Sequence, residues 1–259
     1  MSAFSLVRNT SLVLAAFTST AAWAQTKTDG EWRGVGGAAM ALTSGNTSSS
    51  ALSLNADMAR ATTADKLSFG ANANYARSKA NGVNSTTANK WAGFGQYDYN
   101  LSPQLFVFGK LGLEGDDLIK LSLRSTLASG LGYKLVDTKE MSFNVFGGAA
   151  HSTDKYDTVQ TIGSKTGKSF SRSSLFLGEE SSHTLSTSTS FKQRLEIYPG
   201  ISGDKAVLAK FTAGLAVAIS GTLNLSVGLV DNYNSKPANG SKKNDLGVFT
   251  GINVKFGAM

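Results

Sequence analysis

Cysteine is absent from the 259 residues. That excludes a disulfide frame, a cysteine-based zinc or redox site, and a lipid-carrying cysteine at a processed terminus. Only 3 prolines and 2 histidines occur, and the two histidines, His151 and His183, lack the spacing of zinc ligands on one helix face. No apolar run after residue 24 reaches the roughly 20 residues that a membrane-spanning helix needs; the stretch 206–219 is broken by Lys210 and Thr212. The formal charge is +7, yet no run of five to eight basic residues and no RNA-binding aromatic motif accompanies it, which argues against nucleic-acid binding. Nor is there a Gly-rich phosphate loop between a strand and a helix, and no cofactor is expected.

What the chain does have is a period of two. Leu67, Phe69, Ala71, Ala73 and Tyr75 alternate with Ser68, Gly70, Asn72 and Asn74, and 207–219 repeats the pattern. Residues two apart share one side of a strand but lie on opposite sides of a helix, so these segments read as strands. Twelve are predicted: 31–43, 48–60, 66–78, 89–100, 104–114, 120–136, 140–151, 173–183, 185–198, 205–220, 221–234 and 244–257. All exceed the 5–6 residues usual in soluble proteins and reach or pass the 9–11 residues that cross a bilayer as a tilted strand, where only every second side chain meets lipid. Such alternation keeps mean hydropathy near zero.

The N-terminal segment reads as an export signal: Arg8, then the apolar stretch 12–17, then Ala22-Trp23-Ala24 as a small-x-small cleavage site. Cleavage after Ala24 is expected, giving a signal peptide over 1–24 and a barrel domain over 25–259. With Gln25 on the periplasmic side, the connections on that side are short, whereas the opposite side receives the longer segments 79–88, 152–172 and 235–243. Aromatic residues near strand ends, Trp32, Tyr97, Tyr99, Tyr133 and Phe256 at one interface and Tyr75 and Trp91 at the other, suit girdles at the lipid boundary. The fold expected is therefore all-β: an antiparallel, up-and-down transmembrane β-barrel of about 12 strands in the outer membrane.

Trp32-Arg33-Gly34, Ser44-Gly45-Asn46-Thr47, Tyr75-Ala76-Arg77-Ser78 with Asn81-Gly82, Gly115-Asp116-Asp117 with Arg124, and Gly130-Leu131-Gly132-Tyr133 occur in an order that resembles the bacterial family of salt-induced outer-membrane proteins, a β-barrel family of unknown function. The resemblance spans nearly the whole chain after the signal. It implies an outer-membrane barrel without an established substrate, and no catalytic residue is carried over from it.

Function would reside on the inward parity. There the phase places Arg33, Lys110, Arg124, Lys134, Lys192, Arg194, Lys210 and Lys255 against Asp57, Asp98, Glu114, Glu196 and Asp245, eight cations to five carboxylates. A conducting lumen of this kind favours anions; a lumen filled by paired side chains makes instead a structural, envelope-stress barrel. Adjacent Glu179 and Glu180 cannot both face inward without a bulge. A rim hydrolase is a third reading, resting on His151 beside Ser152 and near Asp154 and Asp157, although Ser and Asp are common in any polar loop; the reading adopted is of a protein that is not an enzyme. Asp116 and Asp117 read as a solvated acidic turn. Expected partners are outer-membrane lipid, lipopolysaccharide phosphates met by Lys155, Lys165, Lys168, Arg172, Lys242 and Lys243, and the barrel-assembly machinery.

Overall fold

The computed structural model describes residues 27–44, 47–80, 82–238 and 241–257. The expected export signal and its cleavage site lie outside the described residues. Twelve strands follow one another: β1 (Trp32–Thr43), β2 (Thr47–Ala61), β3 (Asp65–Ala80), β4 (Val83–Asn100), β5 (Leu105–Asp116), β6 (Leu121–Asp137), β7 (Met141–Ile162), β8 (Lys165–Thr184), β9 (Thr189–Pro199), β10 (Val207–Ala218), β11 (Leu223–Asn234) and β12 (Asn244–Gly257). Each pairs antiparallel with its sequence neighbours, and β12 returns to β1, so the sheet closes into a barrel. Closure removes the unpaired edges that an open sheet would expose.

Alternation fixes which side chains face in. Along β3, Ser68, Gly70, Asn72, Asn74 and Ala76 are buried while Phe69, Ala71, Ala73, Tyr75 and Arg77 are exposed. Around the barrel the outward face carries exposed Met40, Leu52, Leu54, Leu111, Leu127, Leu131, Leu175, Leu177, Val227, Val248 and Ile252. The seven aromatics expected at the interfaces all face outward and are exposed, and Trp32 stacks on Phe69 at 6.1 Å between ring centroids.

The connections at the end bearing β1's start and β12's finish are short, as expected; we call this the terminal end and the opposite one the distal end. Of the three longer distal segments expected, 235–243 is the connection between β11 and β12, and the other two differ from expectation. Residues 152–172 form no loop: β7 and β8 run on to a two-residue turn at Gly163 and Ser164, pairing Gln160–Ile162 with Lys165–Gly167. Gly163 adopts φ +62° there, the left-handed conformation a tight hairpin turn needs. Most of 79–88 is likewise strand. The weakest join is the closing one, where β1 and β12 share six residue pairs, Arg33 with Gly257 through Ala38 with Ile252, against twelve between β1 and β2.

Candidate functional site: a charged lumen

The inner wall is uneven. From β1 to β3 and on β11 and β12 it presents mainly small or amide side chains, among them Ser53, whose hydroxyl donates to Asn74 Oδ1 at 2.7 Å, and Asn253, which donates to Ser226 Oγ at 2.7 Å. From β4 to β10 it presents ions and rings. Phe108, Phe146, Phe176 and Tyr198 form an apolar cluster there, with Phe108 edge-on to Phe176 at 5.5 Å and Phe176 stacked on Tyr198 at 4.9 Å.

Two ionic networks sit on this wall. Toward the terminal end, Arg194 donates from Nη1 to Glu180 Oε2 at 2.6 Å, from Nε to Glu196 Oε1 at 2.7 Å and from Nη2 to Gln96 Oε1 at 3.2 Å. Glu196 also accepts from Lys110 and, at 2.8 Å, from the Tyr198 hydroxyl. Asn144 donates to Glu180 at 3.1 Å and Gln96 to Asp98 at 2.8 Å. Toward the distal end a chain of ions crosses the strands: Lys210 and Arg124 both donate to Glu114, Arg124 forks onto Asp154 at 2.6 and 2.7 Å, and Arg172 reaches Asp204 at 2.9 Å and Asp154 at 3.4 Å. Asp154, Arg172 and Asp204 are buried. Charges removed from water this far are costly unless their donors and acceptors are matched; here the carboxylates and the terminal guanidinium nitrogens are engaged, while Arg172 Nε has no hydrogen-bond partner among the described residues.

Beyond that chain the inner faces close with Leu121, Tyr156, Ile162, Phe170 and Ala238 in a second apolar cluster; Tyr156 meets Phe170 edge to face at 5.9 Å. Lys236 Nζ donates to the Asp204 carbonyl at 2.6 Å, tying the segment after β11 to this cap.

Between the cap and the terminal end lies a cavity of about 700 Å³. Its lining reaches Lys27, Thr28, Asp137 and Lys139 at the terminal end and stops distally at Glu114, Arg124, Ser152 and Lys210. Nine cations, Lys27, Lys66, Lys110, Arg124, Lys134, Lys139, Lys192, Arg194 and Lys210, line it against six carboxylates, Asp65, Asp98, Glu114, Asp137, Glu180 and Glu196.

Of the residues assigned inward from sequence, Lys110, Arg124, Lys134, Lys192, Arg194, Lys210, Asp98, Glu114 and Glu196 line this cavity. The other four do not. Arg33 turns to Asp29 at 2.6 Å on the terminal rim; Asp57 is buried on the inner face of β2; Asp245 takes Lys90 at 2.6 Å; and Lys255 stands opposite Val35 on the closing seam. Lys66, Asn144 and Glu180 line the cavity without having been assigned to it.

Arg172, expected in a solvated loop facing lipopolysaccharide, is instead buried in the distal ionic chain. The error follows from reading 152–172 as a loop, although Phe170, Arg172, Ser174 and Phe176 continue one strand parity. Glu179 and Glu180 need no bulge: the β7–β8 register runs unbroken past them, Glu180 faces in, and Glu179 faces out beside Gln193.

His151 does not end its strand. It lies on the exposed outer face with Nδ1 3.1 Å from Ser173 Oγ, whereas Asp154 belongs to the inner face, so the proposed rim grouping is not assembled. His183 sits 3.2 Å from Ser181 Oγ. Asp116 accepts the Leu118 backbone N–H at 2.9 Å and Asp117 accepts from Asn89, so both organise the turn between β5 and β6. Among the described residues no group of three or more His, Asp or Glu side chains is placed to hold a metal ion.

Together these features define a closed antiparallel β-barrel with an apolar outside and an ionic inside. The chain belongs to the family described as protein of unknown function DUF481, whose model matches residues 36–256. No curated protein matches the sequence. Among solved structures it is similar to the NanC porin, at 11% identity and a TM-score of 0.48 over 86% of this chain and 97% of that one. It is also similar to the translocator domain of the autotransporter NalP from Neisseria meningitidis, at 12% identity and a TM-score of 0.45 over 88% and 86%. An outer membrane channel from Pseudomonas putida F1 matches at 11% identity and a TM-score of 0.41 over 88% and 94%.

Proposed function

We propose that this protein is an outer-membrane barrel acting as a narrow passive pore for small polar solutes, with a bias toward anions, and that its distal exit is shut in the conformation described. The outward apolar belt between aromatic girdles suits lipid, since a bilayer leaves no water to satisfy open edges and only closed barrels or helices cross it. The short connections at the terminal end suit the periplasm. The observation that carries the pore reading is the cavity of about 700 Å³ that reaches the terminal end with cations in excess; a low-dielectric wall focuses that excess on whatever enters.

Passage then requires the distal chain through Asp154, Arg172 and Asp204 to part. In planar bilayers the native protein gives rare, discrete conductance steps whose reversal potential under a salt gradient lies toward the anion, and Arg172→Ala makes them frequent. Cation preference would remove the anion bias. Silence from both proteins would favour a second reading, a structural barrel with a filled lumen, for which the buried distal ions and apolar cap speak.

A further inference from the structure

We propose that the outer wall of β7 and β8 carries a docking site for the phosphorylated sugar headgroup of lipopolysaccharide, formed by His151, Thr153 and Lys155 on β7 and Ser169, Ser171 and Ser173 on β8. The inference goes beyond the pore reading. It rests on the outer-membrane placement of the barrel with its distal end outward, not on conduction.

The six residues are three cross-strand pairs in continuous register: His151 with Ser173, Thr153 with Ser171 and Lys155 with Ser169. They alternate with buried Ser152, Asp154, Phe170 and Arg172, so all six point away from the lumen. The Thr153 and Ser171 hydroxyls lie 3.1 Å apart, and His151 Nδ1 lies 3.1 Å from Ser173 Oγ. Each contact uses one hydrogen, which leaves the Thr153–Ser171 pair a second O–H and open acceptor sites, and leaves His151 its other ring nitrogen. Toward the terminal end the next outward pair is Ala149 with Leu175, where the apolar belt resumes.

The patch begins where lipid headgroups begin. Rows of strand partners climb distally around this part of the barrel: the row that starts at Tyr99, at the terminal end of β4, reaches Tyr233, near the distal end of β11, through one partner on each strand between. Trp91 of the distal girdle pairs with Gly115, which lies beside Ser122, whose hydroxyl donates to the Lys155 carbonyl at 2.9 Å. Because that row also climbs, Lys155 stands beyond Trp91, on the water side of the boundary that such girdles mark.

The charge there complements a phosphate. Exposed Lys120, Lys155, Lys165, Lys168 and Lys205 stand around the patch against exposed Asp117 and Asp157. The Lys120 carbonyl accepts the Asp157 backbone N–H at 2.9 Å, and Lys165 lines a groove of about 310 Å³ beside β8 together with Ser169, Ser171 and Asp204. The terminal rim has no such excess: Lys27, Arg60 and Lys139 are exposed there against Asp29, Glu31, Asp137 and Glu140. An ammonium and neighbouring hydroxyls hold a phosphate by charge-assisted hydrogen bonds. From His151 to Lys155 the patch runs roughly 13 Å, at about 3.3 Å per residue, which is longer than one glycerophosphate and suits a phosphorylated disaccharide.

The test is binding of fluorescently labelled lipopolysaccharide to the full chain folded in detergent micelles, read by anisotropy, with protein-free micelles as blank. Intact lipopolysaccharide is expected to bind about tenfold more tightly than the same material stripped of its phosphates, and about tenfold more tightly than labelled phosphatidylglycerol. Lys155→Glu is expected to weaken it about tenfold, whereas Lys79→Glu, an equal change of charge on the β3–β4 hairpin, leaves it unmoved. Equal binding of the stripped material, equal binding of phosphatidylglycerol, or no binding up to about 1 mM overturns the proposal on the native protein alone, whatever the variants do. Equal losses with Lys155→Glu and Lys79→Glu also overturn it, since the attraction is then general and not seated on this wall. A barrel that holds lipopolysaccharide here and never conducts refutes the pore and keeps the site; one that conducts without holding it does the reverse.

Discussion

Arg124 and Asp154 oppose each other across the β6–β7 register and join at two points, Nε to Oδ1 at 2.6 Å and Nη2 to Oδ2 at 2.7 Å, inside the distal lumen. Asp154 also receives Arg172. Deleting the carboxylate leaves two buried guanidinium groups short of an anion. Asp154→Ala is therefore expected to lower the unfolding free energy by about 3 kcal/mol. Urea unfolding of the micelle-folded barrel checks this, and replacing Arg124 by Met together with Asp154 by Leu should cost less than the single change, because only Arg172 is then left short, and it keeps Asp204.

Gly130 and Gly148 are partners in the same pair of strands and approach without side chains. A methyl on Gly130 would stand 2.1 Å from the Gly147 carbonyl oxygen, and one on Gly148 2.0 Å from that of Ser129. Neither neighbour is a side chain that can swing away. Gly130→Ala and Gly148→Ala should each cost about 1–3 kcal/mol by overpacking. Their folded fraction, read as the heat-modifiable band in cold detergent electrophoresis, should fall relative to Gly109→Ala, where nothing lies within 4 Å of the added carbon.

Leu131 faces outward and is half exposed. If lipid covers that face, Leu131→Arg costs about 2–4 kcal/mol near the bilayer midplane. Unfolding from lipid vesicles measures it. A free-energy change near zero would count against a bilayer around this belt.

Asp29, which precedes β1, accepts two hydrogen bonds from the Arg33 guanidinium at 2.6 and 2.7 Å. That contact, with a further hydrogen bond from the Glu31 backbone N–H, holds its carboxyl well below the usual carboxylate range. A depressed folded value means the pair contributes above the ordinary carboxylate pKa and is lost as pH falls through the lower, folded one. Carbon-13 titration of the Asp29 carboxyl should therefore show a midpoint below that of a free aspartate, and Arg33→Ala should return it toward the ordinary value.

The strand number and the inward face were legible because a strict period of two admits one answer once a single strand's phase is known. Lys110, Arg124, Arg194 and Glu196 could be placed in this way. What escaped was distal. Ser, Thr, Lys and Gly between 152 and 172 carry loop chemistry, and a hairpin projecting past an apolar belt has no lipid to impose greasy outward residues, so only its inner face, with Tyr156, Phe170 and Arg172, keeps a signal. The pairing of ions across the lumen was beyond sequence reading for another reason. Lys110 meets Glu196 and Lys210 meets Glu114 across strands far apart in order, a match set by how the sheet curls and not by local spacing.

The short seam between β1 and β12 has a consequence for biogenesis. Until residues 252–257 pair with β1, the folding sheet has two raw borders, each able to recruit a foreign strand. Docking of that ribbon ends the exposure of both borders at once, and with six residue pairs at the seam it is also the step most easily reversed.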